Sequence, residues 1–121
     1  VHAMDMWRLL RGRVHEVATS VAVVGPAGER QLTEVAEVEL TALSDAQVHA
    51  YVASGRPLDK AGGYAIQDED VPTVANLEGC YCAVMGLPLW ATKDLLEASG
   101  IACREPAATF PRCAECPSRP A

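Results

Sequence analysis

The sequence is short of positive charge. It carries 10 Lys and Arg against 16 Asp and Glu, a net charge of −6. Non-specific attachment to a nucleic-acid backbone depends on clustered Lys and Arg, so no nucleic acid polymer is expected as a partner. A small anion held by a local basic pocket stays open. Long apolar runs are also missing. None approaches the ~20 residues of a membrane-spanning helix, and charges throughout residues 1–20 leave no apolar centre for a secretory signal. No membrane is expected as a partner either. The five cysteines are an odd number, and without a secretion signal they read as reduced thiols of a cytoplasmic chain. Lysine is scarcer still, with only Lys60 and Lys93.

Half of the 121 residues are hydrophobic, enough for one domain with a real core and too few for two ordinary domains. Residues 1–103 are expected to form that domain. Residues 104–121, rich in Pro, Ala and Cys, are expected to be a disordered tail. Val1 falls inside a helical pattern, so the sequence is expected to be the rear part of a longer protein.

Ala3, Met4, Trp7 and Leu10 have helical spacing, with Gly12 as the stop. Val17, Thr19, Val21 and Val23 line one face of a strand over 14–24, and Leu32, Glu34, Ala36, Val38 and Leu40 do so over 31–40. Gly25-Pro26-Ala27-Gly28 joins the two as a hairpin. Ser44-Asp45-Ala46-Gln47 is a capping box opening a helix with Val48, Tyr51 and Val52 inward, and Gly55 and Pro57 end it. Residues 57–72 carry no period and read as loop. Thr73–Leu77 and Cys80–Met85 are two short strand candidates. A last helix runs from Pro88 to Gly100. This order implies an α/β domain with a mixed, largely antiparallel sheet flanked by helices.

The chemistry concentrates in Asp59-Lys60-Ala61-Gly62-Gly63-Tyr64-Ala65-Ile66-Gln67. Adjacent glycines permit positive φ and close approach of a ligand, and their amides can face an anion. Lys60 suits phosphate as a compact charge. The Gln67 carboxamide, donor and acceptor together, matches the imide edge of uracil or thymine. The competing reading is a structural turn with a salt bridge and a solvated glutamine. Other candidates are weaker. His15 sits in a strand as a satisfied or half-exposed histidine. Arg11, Arg13 and Arg56 are either solvated or add positive potential near the loop. Glu69 and Asp70 read as a solvated acidic pair rather than metal ligands. Trp7 and Trp90 read as core or interface anchors. Cys113-x-x-Cys116 with Cys103 offers three zinc ligands where a structural site needs four, so no metal residue is assigned. Cys80 and Cys82, in one strand, are not expected to bridge each other.

Three separated segments carry a resemblance: Gly12-Arg13-Val14-His15 with the valine-rich run after it, Asp59 to Gln67, and Glu78-Gly79-Cys80-Tyr81-Cys82 running into Gly86-Leu87-Pro88. Together they resemble the Maf family of nucleoside triphosphate pyrophosphatases, over residues 1 to about 101. The resemblance implies a Maf/ITPase-like fold without its N-terminal portion. It implies hydrolysis of a nucleoside triphosphate to the monophosphate and pyrophosphate, assisted by magnesium or manganese. It further implies a dTTP/UTP-preferring branch, house-cleaning of nucleotides, a link to septum formation, and a homodimer. Lys60, Gly62, Gly63 and Gln67 match the family's substrate-binding loop, while the GR-x-H and GLP motifs match structural positions. The family's Ser-Pro-Arg-Arg phosphate loop and the aspartate of its Ala-Asp-Thr segment, the presumed catalytic base, have no counterpart in this sequence, so the catalytic residue is unknown. Asp68 replaces a usual glycine, and Cys80 and Cys82 replace small polar residues. The alternative is a truncated, non-catalytic nucleotide-binding or interaction protein, or a small metal-binding module built on the cysteine tail.

Overall fold

The computed structural model describes residues 2–66 and 71–120. Helix α1 (His2–Leu10) leads into β1 (Val14–Gly25), β2 (Gly28–Leu40) and α2 (Asp45–Ala53). A 3-10 turn (Ala61–Gly63), β3 (Val74–Glu78), α3 (Tyr81–Met85), α4 (Leu89–Ala98), α5 (Pro106–Thr109) and α6 (Pro111–Ala114) follow. The strands form one antiparallel sheet in the order β1-β2-β3, so the expected α/β class holds. The chain divides into two compact units, residues 1–15 with 37–77 and residues 16–36 with 78–121.

The period-2 pattern predicted for the hairpin is the one observed. Exposure alternates along β1, with Val17, Thr19, Val21 and Val23 the more covered set. Along β2 Ala36, Val38 and Leu40 are buried while Val35 and Glu37 are exposed. Alternation buries one face because successive strand side chains point to opposite sides.

In the first unit α1 and α2 present buried Trp7, Val48 and Tyr51 to a common core. Arg11 Nη1 reaches Asp45 Oδ1 at 2.6 Å and the Leu43 carbonyl at 3.3 Å, tying the end of α1 to the start of α2. That guanidinium holds the Asp45 carboxyl below its ordinary pKa. The capping box forms as expected. The Gln47 amide donates to Ser44 Oγ at 3.2 Å, and the Ser44 amide donates to Gln47 Oε1 at 2.9 Å. Ser44→Ala removes an acceptor for an otherwise orphaned helix N–H. It is expected to lower stability by about 1 kcal/mol, read as a shifted urea midpoint with unchanged slope.

The second unit departs from expectation twice. Residues 80–85 do not form a strand: Tyr81–Met85 is a helix, and Cys80 and Cys82 are both buried. Gly79, at φ +131°, packs against Ala36 just before this helix, and Thr19 Oγ1 donates to the Ala83 carbonyl at 2.8 Å. Residues 104–120 are not a tail without structure. Pro106 and Pro111, whose missing N–H costs nothing in a first turn, start α5 and α6. Cys113 is 1 % exposed, and its carbonyl accepts from Trp90 Nε1 at 2.8 Å. Arg112 lies over the Tyr81 ring at 3.9 Å, and Ser118 Oγ donates to Glu34 Oε2 at 3.0 Å.

Candidate functional site

Lys60, Gly62 and Gly63 come together in the 3-10 turn of the first unit, and Gln67 lies outside the described residues. Gly62 and Gly63 both have positive φ, +74° and +73°, the region that disfavours any side chain with a Cβ. Gly63 is buried against the Ala3 backbone, 3.5 Å from where a Cβ would stand. Its amide already donates to the Lys60 carbonyl at 3.1 Å, so it is not one of the amides turned toward an anion. The Lys60 ammonium is part-exposed and 3.4 Å from Asp59 Oδ1.

Side chains from four places hold this turn and the residues after it, three of them through the backbone. Trp7 Nε1 donates to the Gly63 carbonyl at 2.6 Å. The Ala65 amide donates to Tyr51 Oη at 3.1 Å, and Thr73 Oγ1 donates to the Ala65 carbonyl at 3.0 Å. His15 Nε2 lies 2.9 Å from Tyr64 Oη. Trp7 meets Tyr51 and Tyr64 edge-on, with ring centroids 6.0 and 6.4 Å apart. Polar groups buried in this way need such partners, and once paired they hold one conformation. The segment entering Gln67 is thus built as a rigid loop. A reading of Trp7, Tyr51 and Thr73 as separate core positions misses this joint task. Its only trace in the sequence is the hydrogen-bonding atom each of these side chains carries.

The GR-x-H motif is structural in detail. Gly12, at φ +66°, donates its amide to the Leu40 carbonyl at 3.0 Å, and His15 supports Tyr64. Burial lowers the pKa of His15 and pushes Tyr64 up to about 12. His15 Nδ1 is buried with no hydrogen-bond partner among the described residues, so a proton there would have nowhere to donate. With the folded pKa below the unfolded value, the unfolded chain binds the proton more readily. The His15 contribution to stability is therefore present above the unfolded pKa of about 6.5. It declines as pH falls below that value. The wild-type urea midpoint is expected to fall more between pH 7 and pH 5 than that of His15→Asn, measured in parallel.

Two open clefts lie in the first unit, each of about 380 Å³. One is lined by His2, Ala3, Met6, Leu58 and Gly63. The other lies between α2 and residues 71–72, with Gln47, Ser54 and Arg56 on its wall. Among the described residues neither cleft offers a ready site for a hard divalent ion. Magnesium and manganese want several oxygen ligands. Asp59, the one carboxylate among residues 57–66, faces Lys60 instead. Among the described residues no three His, Cys, Asp or Glu side chains already converge as ligands on one point.

A helix-bound Gly-Gly turn with a lysine at its entry, between a GR-x-H hairpin start and a GLP helix start, defines a protein class. The Maf-like protein family model matches residues 1–99, and the chain belongs to that family. Among individual relatives, it is 43 % identical over 123 residues to the dTTP/UTP pyrophosphatase of Thermomicrobium roseum, covering 98 % of this chain and 56 % of that protein. It is 48 % identical over 109 residues to the dTTP/UTP pyrophosphatase of Salinibacter ruber, covering 81 % and 53 %. It is 46 % identical over 99 residues to that of Hyphomonas neptunium, covering 81 % and 52 %. The chain thus spans about half the length of the curated relatives it matches.

Proposed function

We propose that the chain supplies the base-reading side of a nucleoside triphosphate pyrophosphatase acting on dTTP and UTP. The reaction takes NTP and water to NMP and pyrophosphate. The observation that carries this reading is the side-chain-locked turn at Gly62-Gly63, in a chain whose relatives bear that activity in their names. Lys60 would leave Asp59 for a phosphate oxygen, an exchange that costs little because exposed ion pairs are weak. Gln67 would pair with the imide edge of the pyrimidine, and the glycines would let the substrate approach the backbone. Pyrophosphate cleavage also needs positive donors around the phosphates and a group to activate water. The described residues do not fit a magnesium or manganese ion, so no step is derived through one here. The enzyme would act in the cytoplasm on free nucleotides, as a homodimer, in nucleotide house-cleaning and septum control. Among the described residues no helix is long and apolar enough to cross a membrane.

The test measures pyrophosphate release from dTTP, UTP, dCTP and GTP by the protein carrying this chain, with magnesium or manganese. Gln67→Ala is expected to lower kcat/KM for dTTP and UTP by about 10-fold or more, the worth of one base hydrogen bond, and to narrow their margin over dCTP. Lys60→Ala is expected to weaken all four substrates alike. Equal activity of wild type and both variants would sink the assignment of this loop.

A further inference from the structure

The second unit gathers four of the five cysteines in one place, and the pyrimidine-nucleotide reading gives them no task. Cys80, Cys82 and Cys113 are buried in a single cluster with Ala83 and Trp90, and Cys116 packs against it. Cys82 Sγ and Cys113 Sγ are 3.6 Å apart. That is far beyond a disulfide bond of about 2.05 Å. It is close to the edge of a ZnS4 tetrahedron, about 3.8 Å for Zn–S bonds of about 2.3 Å. The remaining two thiols, Cys80 and Cys116, belong to the same cluster.

From this geometry we propose that Cys80, Cys82, Cys113 and Cys116 bind one zinc ion as a closed, structural four-thiolate site. The ligand pattern is Cys-x-Cys from the start of α3 and Cys-x-x-Cys from the end of α6. Cys103 has no part in it: its thiol turns to the Ile101 carbonyl, 3.7 Å away. As they stand the four sulfurs do not converge as ligands of one ion, and binding would draw them together. On binding, Zn²⁺ takes four sulfur lone pairs and four thiol protons leave to solvent, giving a centre of net charge −2. Arg112, over the Tyr81 ring, and Arg119, whose guanidinium is 5.9 Å from the Trp90 ring, lie in the same unit and offset that charge. The site would staple residues 111–116 onto α3 and α4 independently of any nucleotide chemistry.

The experiment uses the whole protein, purified reduced and without chelator. Elemental analysis is expected to find one zinc per chain. Cobalt substitution is expected to give thiolate-to-cobalt charge-transfer absorption and the intense visible bands of a tetrahedral ion. Cys80→Ser, Cys82→Ser, Cys113→Ser and Cys116→Ser should each lose stoichiometric zinc, whereas Cys103→Ser should keep it. Because the buried variants can fail to fold, wild-type protein is also alkylated before and after chelation and read by peptide mass spectrometry. Cys103 should react at once and the other four only after chelation, together, as one zinc is released. Absence of zinc with no tetrahedral cobalt spectrum, loss of zinc in Cys103→Ser, or four thiols whose labelling ignores chelator would each overturn the proposal. So would recovery of a Cys82–Cys113 disulfide without metal.

Discussion

Trp7→Ala is expected to cost about 3–5 kcal/mol, the range for truncating a fully buried large aromatic. Trp7 is 0 % exposed. Truncation would open a cavity beside Tyr51 and Tyr64 and leave the buried Gly63 carbonyl without its donor. Against a total of roughly 5–15 kcal/mol for an ordinary domain, this removes a large share of the stability. Trp7→Phe separates the two causes. It keeps most of the packing and loses only the Nε1 donor, so about 1–3 kcal/mol is expected for one unsatisfied buried acceptor. Urea unfolding of both variants reads the difference in midpoint. If Trp7→Phe proves as stable as wild type, the hydrogen bond to Gly63 does not hold the turn.

Gly79→Ala is the second large effect, in the other unit. A Cβ there would stand 2.7 Å from Ala36 Cβ and 2.9 Å from Ala36 Cα, at φ +131°. Two costs combine, overpacking of about 1–3 kcal/mol and left-handed backbone strain of about 1–3 kcal/mol. Gly86→Ala is the control. Gly86 has φ +134° with nothing within 4 Å of its would-be Cβ, so it carries only the strain. Thermal unfolding should rank wild type, Gly86→Ala and Gly79→Ala in falling order. Equal losses in the two variants would mean that the close approach to Ala36 relaxes without cost.

Why some elements could be read in advance and others not comes down to length and distance. The hairpin was legible because β1 and β2 each run through several repeats of an in-out alternation. The start of α2 was legible because a capping box is a local pattern of four residues. Helix α3 was not, since five residues make less than two turns and an alternating run of that length fits strand or helix equally. The contacts around it come from far away in the chain: Ala36 against Gly79 and Thr19 on the Ala83 carbonyl. The tail failed likewise. Pro, Ala and Cys suggest a chain with little to bury, yet α6 is held by Trp90 and by the buried Cys113. A strand over 80–85 and a loose 104–121 would give Cys80 and Cys82 no reason to meet Cys113 and Cys116, and the sequence pattern alone offers three zinc ligands. In the candidate site, the glycines and Lys60 were legible as a turn. The four side chains that lock it were not: the bonds from Trp7 and His15 span 56 and 49 positions, and those from Tyr51 and Thr73 leave no periodic pattern.

Those separations set a timetable for synthesis. The bond from Trp7 to Gly63 spans 56 positions. At roughly 5–20 residues per second, the indole leaves the ribosome about 3–11 s before its acceptor does. The Glu34–Ser118 pair spans 84 positions and waits longer still. The two units are interleaved along the chain, so neither can close before its later segment, 37–77 or 78–121, has been made. The nascent hairpin and α1 therefore spend seconds with apolar faces uncovered, the interval in which a holdase chaperone would find this protein most receptive.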